Sequence, residues 1–295
     1  MAATKEMKWL ITGANGQLGR CLQKTLDSQR IEFVALSRAD LDITNIGQVE
    51  QLIKSVDPDL VINAAAYTNV EQAETDSDEA FKINQLGAAN LAIASRSVNA
   101  KLLHFSTDYV FSGNRNLPWQ ANDLTEPLSV YGKSKLAGEV EILNQYPEKS
   151  LIIRTAWLYS PYGKNFYKTM LTKALNSDES VQVVSDQQGQ PTSALDLAEL
   201  TVKAVINDLF FGIFHGTNAG SCSWFEFAKY IFEIAGADPA RVTPVLSSEF
   251  ANKVQRPKYS VLDNQKWSEF GIVPLGPWKD SVQKALPDMM LSLAK

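Results

Sequence analysis

The sequence predicts an α/β fold in which helices cover both faces of a doubly wound parallel sheet, with a smaller C-terminal α/β lobe after it. Three observations carry that prediction. Short apolar strands alternate with helix-length segments over the first two-thirds of the chain. A glycine-rich turn joins the first strand to the first helix. The alternation breaks down beyond Trp157.

Trp9 to Thr12 is a short apolar run ending in the glycine-rich turn, and Gln17 to Ser28 reads as a helix. Ile31 to Ser37 is a second strand. Ile46, Val49, Leu52, Ile53 and Val56 recur at helical spacing, with Thr44 or Asn45 available as N-cap. Asp57-Pro58 stops that helix. Leu60 to Asn63 reads as a third strand, Ser77 to Val98 as a longer helix and Leu102 to Ser106 as a fourth strand. Tyr131 to Asn144 is a helix and Leu151 to Thr155 a fifth strand. Continuous apolar strands separated by helices imply a parallel sheet buried on both faces. Right-handed crossovers wind it in both directions, and ligands then bind at the carboxyl ends of the strands.

Beyond Trp157, Val181 to Val184 and Ile213 to His215 read as further strands, with a helix from Ala194 to Asn207 between them. From Gly220 onward Pro239, Pro244, Pro257, Pro274, Pro277 and Pro287 break the chain into short helices and loops. Trp224, Phe225, Phe227, Ile231 and Phe232 recur at helical spacing, as a core stripe does.

The chain has 295 residues, 45% hydrophobic and 21% charged, an ordinary globular composition with room for a sizeable core. A formal net charge of −5 argues against nucleic acid or an anionic membrane as partner. Cys21 and Cys222 form no disulfide framework. With His104 and His215 also far apart, no structural zinc site is expected. Met1 to Lys8 is too short and polar for a signal peptide. No run approaches the ~20 apolar residues of a membrane helix. The expected compartment is the cytoplasm.

Thr12-Gly13-Ala14-Asn15-Gly16-Gln17-Leu18-Gly19 carries the spacing G-x-x-G-x-x-G. Alone, such a pattern is a weak signal. Placed between the first strand and the first helix, it fits a Rossmann-type dinucleotide site. Gly13 suits the tight turn, Gly16 lets backbone approach a pyrophosphate, and Gly19 lets the helix pack closely. The helix N-terminus adds N–H groups and partial positive charge. Gly13, Asn15, Gly16, Gln17, Leu18 and Gly19 are the expected phosphate-loop residues. Arg38 follows the second strand, where an arginine accommodates the 2′-phosphate of NADP and a carboxylate selects NAD. NADPH is therefore expected, with NADH left open by Asp40 and Asp42 nearby. Asp42 and Ile43 can border the adenine. The third strand ends in small residues, so Ala65, Ala66, Tyr67 and Thr68 are expected beside the cofactor. Residues 1–156 are expected to form the dinucleotide-binding domain, continued by strands and a helix near 180–218. Residues 219–295 with 157–179 are expected to form a substrate-binding lobe.

Tyr131 and Lys135 stand at i and i+4 at a helix start and share a face. The fourth strand ends Ser106-Thr107-Asp108-Tyr109, which places hydroxyls at the same sheet edge. Reducing a carbonyl needs a hydride and a proton for the developing alkoxide, and Tyr131 can donate that proton. An ordinary tyrosine titrates near ~10. A lysine ammonium ~4 Å away contributes up to ~4 kcal/mol at an effective dielectric of ~20. At ~1.36 kcal/mol per unit, Lys135 is expected to lower the Tyr131 pKa by ~3 units. Lys135 can also hold the nicotinamide ribose, and Thr107 can hold the substrate carbonyl. Ser106 reads equally well as a satisfied strand-end hydroxyl.

Together these segments resemble the extended short-chain dehydrogenase/reductases, and more narrowly the dTDP-4-dehydrorhamnose reductase family. The matching segments are Gly13 to Gly19, Asn63 to Thr68, Ser106 to Phe111, Val130 to Glu139, Arg154 to Tyr159, Asp186 to Thr192 and Arg256-Pro257. They span nearly the whole chain, and Ser-Thr-Asp-Tyr-Val-Phe is the most specific. The resemblance implies that Gly16, Gln17, Leu18, Arg38, Asp42, Ile43, Ala66, Tyr67, Thr68, Tyr131 and Lys135 contact NADPH. It implies that Thr107, Asp108 and Trp157 contact the substrate. That substrate would be dTDP-4-dehydro-β-L-rhamnose, reduced at C4 to dTDP-β-L-rhamnose. Dehydratases and epimerases of the superfamily place an acidic residue after Thr-Asp. Tyr109 stands there, which favours a simple reductase.

Arg256 can pair with the substrate diphosphate. Trp157 can pack on the sugar or base, or in the core. Some reductases of the family bind magnesium at a dimer interface through glutamates. Those glutamates have no clear match here, and magnesium and a homodimer stay open. Two other readings also stay open. One is a reductase of another nucleotide-4-ketosugar. The other is a non-catalytic module like the regulatory subunit of methionine adenosyltransferase, which resembles these reductases. Intact Tyr131, Lys135 and Thr107 favour the enzyme.

Overall fold

Short, mostly apolar strands must bury both faces, and here they form the middle layer of the molecule. The computed structural model describes residues 7–249 and 254–293. Along the chain run β1 (Trp9–Thr12), α1 (Gln17–Ser28), β2 (Phe33–Leu36), α2 (Ile46–Val56), β3 (Leu60–Asn63), α3 (Val70–Ala73) and α4 (Ser77–Phe81). A π-helical turn (Lys82–Leu86), α5 (Gly87–Ser97), β4 (Lys101–Thr107), α6 (Val130–Gln145) and β5 (Ser150–Thr155) follow. Then come β6 (Leu158–Tyr159), α7 (Phe166–Asn176), β7 (Val181–Val184), β8 (Gln188–Gly189), β9 (Thr192–Ser193) and α8 (Ala194–Ile206). The last elements are β10 (Ile213–His215), β11 (Cys222–Ser223), α9 (Trp224–Ile234), β12 (Val242–Val245) and α10 (Trp278–Leu293).

The main sheet has the order β10-β5-β4-β3-β1-β2 and is parallel throughout. It is the expected doubly wound sheet. β1 has β3 on one side and β2 on the other, so the winding reverses there, where open α/β sheets bind their ligands. Side chains alternate between the two faces. Trp9, Ile11, Leu60, Ile62, Leu103, Phe105, Leu151 and Ile153 pack against Leu22 and Leu26 of α1 and Leu197 and Leu200 of α8. Leu10, Val61, Leu102 and Ile152 pack on the opposite side against Val49 and Ile53 of α2, Leu91 of α5 and Ile142 of α6. Each such burial stabilises by roughly 1.5–3 kcal/mol.

Local signals set the element ends. Asn45 caps α2, its side chain accepting from the Gln48 N–H, and Asp57 closes that helix in the left-handed conformation. Ser223 and Glu226 form a reciprocal capping box at the start of α9. β2 is shorter than the expected Ile31 to Ser37. The single helix expected from Ser77 to Val98 is α4, the π-helical turn and α5 in succession.

β7 departs from expectation. Instead of continuing the main sheet, Val181–Val184 pairs in parallel with β12. Val181 and Val183 then pack with Tyr167, Met170, Phe227, Ile231, Phe232 and Trp278 in a second core. α8 and β10 do stay with the main sheet. In the other direction, Trp267 from the C-terminal region is buried against Phe214 of β10, ring centroids 4.6 Å apart. Periodicity reveals a strand but not its partner. Among the described residues no helix is long and apolar enough to cross a membrane. Nor do any three His, Cys, Asp or Glu side chains group so as to hold a metal ion.

Candidate active site

The loops leaving β1 and β3 touch. Gly13 has φ +71°, and a Cβ there would lie 2.5 Å from the backbone of Ala64 and Ala65. Only glycine allows that approach. A Cβ on Gly19 would lie 2.3 Å from the Gly13 carbonyl oxygen, so the first turn of α1 is pressed against the loop. Gly16 is the N-cap of α1, and neither a side-chain cap nor an acidic residue stands in the first turn. The N-terminal N–H groups and dipole of α1 are thus left for an anion, and the loop fits a dinucleotide phosphate. Asn15 and Gly16 are exposed. Leu18 is buried in the core, so its backbone alone can serve a ligand. The Gln17 side chain accepts from Asn165 at 2.9 Å and from Ser160 at 3.2 Å, which ties α1 to the segment after β6.

Arg38 stands exposed after β2 and pairs with Glu79 of α4 at 3.2 Å. Asp40 accepts from the Ser37 hydroxyl and N–H, and Asp42 from those of Thr44. These bonds hold both carboxyls below their ordinary range. The Ile43 side chain is buried against Gly87 under α5. Ala65, Ala66 and Tyr67 are half-buried after β3, and Thr68 is exposed.

Behind the glycine loop runs a line of buried polar side chains. The Thr12 hydroxyl donates to Asn63 Oδ1 at 2.8 Å. Asn63 Nδ2 meets His104 Nδ1 at 2.9 Å, and His104 Nε2 meets Lys135 Nζ at 3.1 Å. Lys135 also donates to the Phe105 carbonyl at 2.7 Å. A second line starts at Asn84 in the π-helical turn. Its Oδ1 accepts from the Tyr67 N–H at 2.9 Å, and its Nδ2 donates to the Tyr67 carbonyl at 3.1 Å and to Ser134 Oγ at 2.9 Å. The Ser134 hydroxyl donates in turn to the Tyr131 carbonyl at 2.8 Å.

Ser129 caps α6, accepting from the Gly132 N–H at 3.1 Å, and so sets Tyr131 in the first turn beside the end of β4. The Tyr131 hydroxyl faces Thr107. The Thr107 hydroxyl donates to Asp108 Oδ1 at 3.1 Å. Tyr109 meets Tyr131 edge-on, ring centroids 5.6 Å apart. Burial raises the Tyr131 pKa above its ordinary value, Asp108 and Tyr109 add to the rise, and Thr107 opposes it. The expected lowering by Lys135 is therefore corrected: the lysine amine is turned to His104 and the Phe105 carbonyl. Burial brings Lys135 down to about 8 and holds His104 well below its ordinary value. Burial also pushes Asp108 up to about 6; the Thr107 hydroxyl at its Oδ1 opposes the rise, and Oδ2 has no hydrogen-bond partner among the described residues. The Ser106 hydroxyl is buried with no hydrogen-bond partner among the described residues, so it is not a satisfied strand-end group.

Trp157 has φ +45°, rare for a bulky side chain. Its ring stacks on Trp224, with centroids 3.5 Å apart, and a Cβ on Gly189 would come within 2.4 Å of it. The α9 stripe expected to be core is so at Phe227, Ile231 and Phe232, while Trp224 serves this stack. Arg256 pairs with Glu71 at 2.6 Å, and its charge bears on Tyr109, so it adjoins the Tyr109–Tyr131 pair.

Residues 7–291 match the family model for the RmlD substrate binding domain. The chain belongs to that family. The dTDP-4-dehydrorhamnose reductase of Streptomyces griseus is 41% identical over 284 residues, covering 95% of this chain and 93% of its own. The dTDP-4-keto-6-deoxy-D-glucose reductase of Streptomyces niveus is 40% identical over 280 residues, covering 95% and 96%. Among solved structures, the dTDP-4-dehydrorhamnose reductase of Bacillus anthracis in complex with NADP has a TM-score of 0.92 at 41% identity. That match covers 96% of this chain and 99% of the other.

In this RmlD-family chain the structure draws Thr107, Asp108, Tyr109, Tyr131 and Arg256 into one cluster, with Lys135 one helical turn below. Arg38 and Asp42 lie apart, on the β2 side of the sheet. Sequence reasoning missed Asn63, His104 and Asn84 as site residues. A lone Asn and a lone His ending or interrupting apolar strands were the available signal, since buried polar groups need partners. Nothing in the periodicity marks the π-helical turn, although such turns recur at functional sites.

Proposed function

We propose that this chain uses NADPH in the cytoplasm to reduce the C4 ketone of dTDP-4-dehydro-β-L-rhamnose to dTDP-β-L-rhamnose. The observation that carries the reading is the placement of Tyr131, in the first turn of α6, beside Thr107 at the end of β4, two strands from a glycine loop shaped for a dinucleotide. The names and extent of the relatives support it.

NADPH supplies the hydride. The backbone from Gly13 to Gly19 would hold its pyrophosphate, Arg38 its 2′-phosphate and Lys135 its nicotinamide ribose, with Ala65, Ala66, Tyr67 and Thr68 alongside. Thr107 and Tyr131 present hydroxyls to the ketone oxygen. As negative charge develops there, Tyr131 donates its phenolic proton. Without substrate Asp108 accepts from the Thr107 hydroxyl, whose proton would turn to the ketone oxygen when the ketone binds. Trp157 and Trp224 offer a flat apolar face to the sugar or base, and Arg256 can exchange Glu71 for the diphosphate.

The Streptomyces niveus relative favours a second reading, in which the ketosugar is dTDP-4-keto-6-deoxy-D-glucose. Following NADPH oxidation with a panel of nucleotide-4-ketosugars decides between them. Preferred turnover of dTDP-4-dehydro-β-L-rhamnose supports the first reading. Preference for the glucose-derived ketone transfers the assignment to the second. No oxidation with any of the panel overturns both.

A further inference from the structure

The segment between β6 and α7 closes around the first side chain of α1. Asn165, the N-cap of α7, accepts from the Lys168 N–H through Oδ1 at 3.0 Å. A backbone N–H only donates, so the Asn165 amide is fixed with Nδ2 on its other side. That nitrogen donates to the Ser160 carbonyl at 2.7 Å and to Gln17 Oε1 at 2.9 Å. An amide nitrogen also only donates, so Gln17 must turn its oxygen toward the segment. The Ser160 hydroxyl lies 3.2 Å from the same oxygen. Gly163 passes beside the stem of Gln17, where an added Cβ would lie 3.4 Å from Cγ. One turn further along α1, the Arg20 guanidinium sits over the Tyr162 ring, 5.5 Å from its centre.

Helix capping alone needs only the Asn165 oxygen. The nitrogen is spent on tying the segment to α1. At the head of that segment Trp157 has φ +45°, a conformation that a bulky residue keeps only where its surroundings hold it. Its ring is held by the stack on Trp224, and the chain that follows it is held by Gln17. Gln17 also follows the N-cap Gly16, at the helix end that no side chain caps and no acidic residue occupies. Its backbone therefore faces the phosphate position while its side chain holds the Trp157 segment.

We propose that Gln17 is a positioning residue that couples the two halves of the site: a dinucleotide phosphate on the α1 N-terminus fixes Gln17, and Gln17 fixes the segment that presents Trp157 to the nucleotide-sugar. This rests on the reading of the glycine loop as the cofactor site and of Trp157 as a substrate contact. A ligand shifts an equilibrium only through unequal affinity for its two states. Here the states are the segment docked on Gln17 and the segment released from it. The phosphate favours the docked state by fixing the first turn of α1, and the nucleotide-sugar favours it by packing on Trp157. Each ligand then strengthens the binding of the other by the same factor.

The test is calorimetric titration of the full chain with dTDP-β-L-rhamnose, with and without saturating NADPH. Both ligands are in their reduced form, so the pair does not turn over. NADPH is expected to tighten the nucleotide-sugar by ~5-fold or more, and the nucleotide-sugar to tighten NADPH equally. Asn165→Ser keeps an N-cap for α7 but is too short to hold Gln17. Gln17→Met keeps the length of the side chain and loses the acceptor. In either variant the factor should fall below about twofold. A factor below about twofold in the unmodified protein overturns the proposal, as does a larger one that survives in either variant. Weaker binding of the nucleotide-sugar with an unchanged factor would mark a purely structural role and overturn it too. Failure to bind NADPH or the nucleotide-sugar at all overturns the underlying reading as well, so the two failures are distinguishable.

Discussion

Arg154 of β5 holds Glu139 of α6 by two hydrogen bonds, Nε to Oε1 at 2.9 Å and a terminal nitrogen to Oε2 at 2.6 Å, with both side chains buried. The guanidinium also donates to the Ala121 carbonyl and lies 5.0 Å from the centre of the Phe111 ring. The pair pins the helix that carries Tyr131 and Lys135 to the sheet. Leaving one buried charge unpaired costs ~3–5 kcal/mol. Glu139→Gln should lower the unfolding free energy in denaturant by that order. Glu139→Leu combined with Arg154→Met should recover most of the loss. A double variant as unstable as the single one would contradict the charge argument.

Asp108 gives a pH-dependent prediction. Its folded value of about 6 lies above the ordinary 3.8. The folded state therefore binds an extra proton between those values. The stabilising contribution of the protonated form is complete below the ordinary value and is lost as pH rises through about 6. At neutral pH the buried carboxylate costs up to ~3 kcal/mol. Asp108→Asn should then raise unfolding free energy at neutral pH and add nothing in acid below about pH 4. Equal gains at both would show that ionisation is not the cause.

Arg38 should decide cofactor choice. A hydrogen bond to a charged group contributes ~1.5–3 kcal/mol, or about 10- to 100-fold. Arg38→Ala should raise KM for NADPH by that factor and leave KM for NADH nearly unchanged. Equal losses for both cofactors would remove Arg38 from phosphate recognition.

The sheet was legible because its strands are short, apolar and spaced by amphipathic helices. α1 and α2 have the bounds their caps and periodicity imply. Thr107 was legible because it ends a strand, and Tyr131 and Lys135 because they stand at i and i+4 at a helix start. β7 was not, because a four-residue apolar strand carries no mark of its partner. The direction of the Lys135 amine was not either. Helical spacing puts Tyr131 and Lys135 on one face, but the buried acceptors at His104 and Phe105 come from β4, and only folding brings them within reach. Arg154–Glu139 escaped notice for the same reason, since its two halves lie 15 residues apart on different elements.

Trp157 and Gly189 should set substrate affinity. An added methyl at Gly189 must displace the Trp157 ring, which lies within 2.4 Å of that position. Gly189→Ala should raise KM for the nucleotide-sugar and leave the Kd of NADPH unchanged. A variant with ordinary substrate KM would place the Trp157–Trp224 stack outside the binding surface.

Replacement of Tyr131 by Phe tests the central claim most directly. The phenolic proton is lost, while the glycine loop, Arg38 and Lys135 remain. With dTDP-4-dehydro-β-L-rhamnose as substrate, kcat should fall by ~10²–10⁴-fold, the range of general acid catalysis. The Kd of NADPH, followed by its fluorescence, should stay within about twofold. Turnover at the rate of the unmodified protein would contradict Tyr131 as the proton donor.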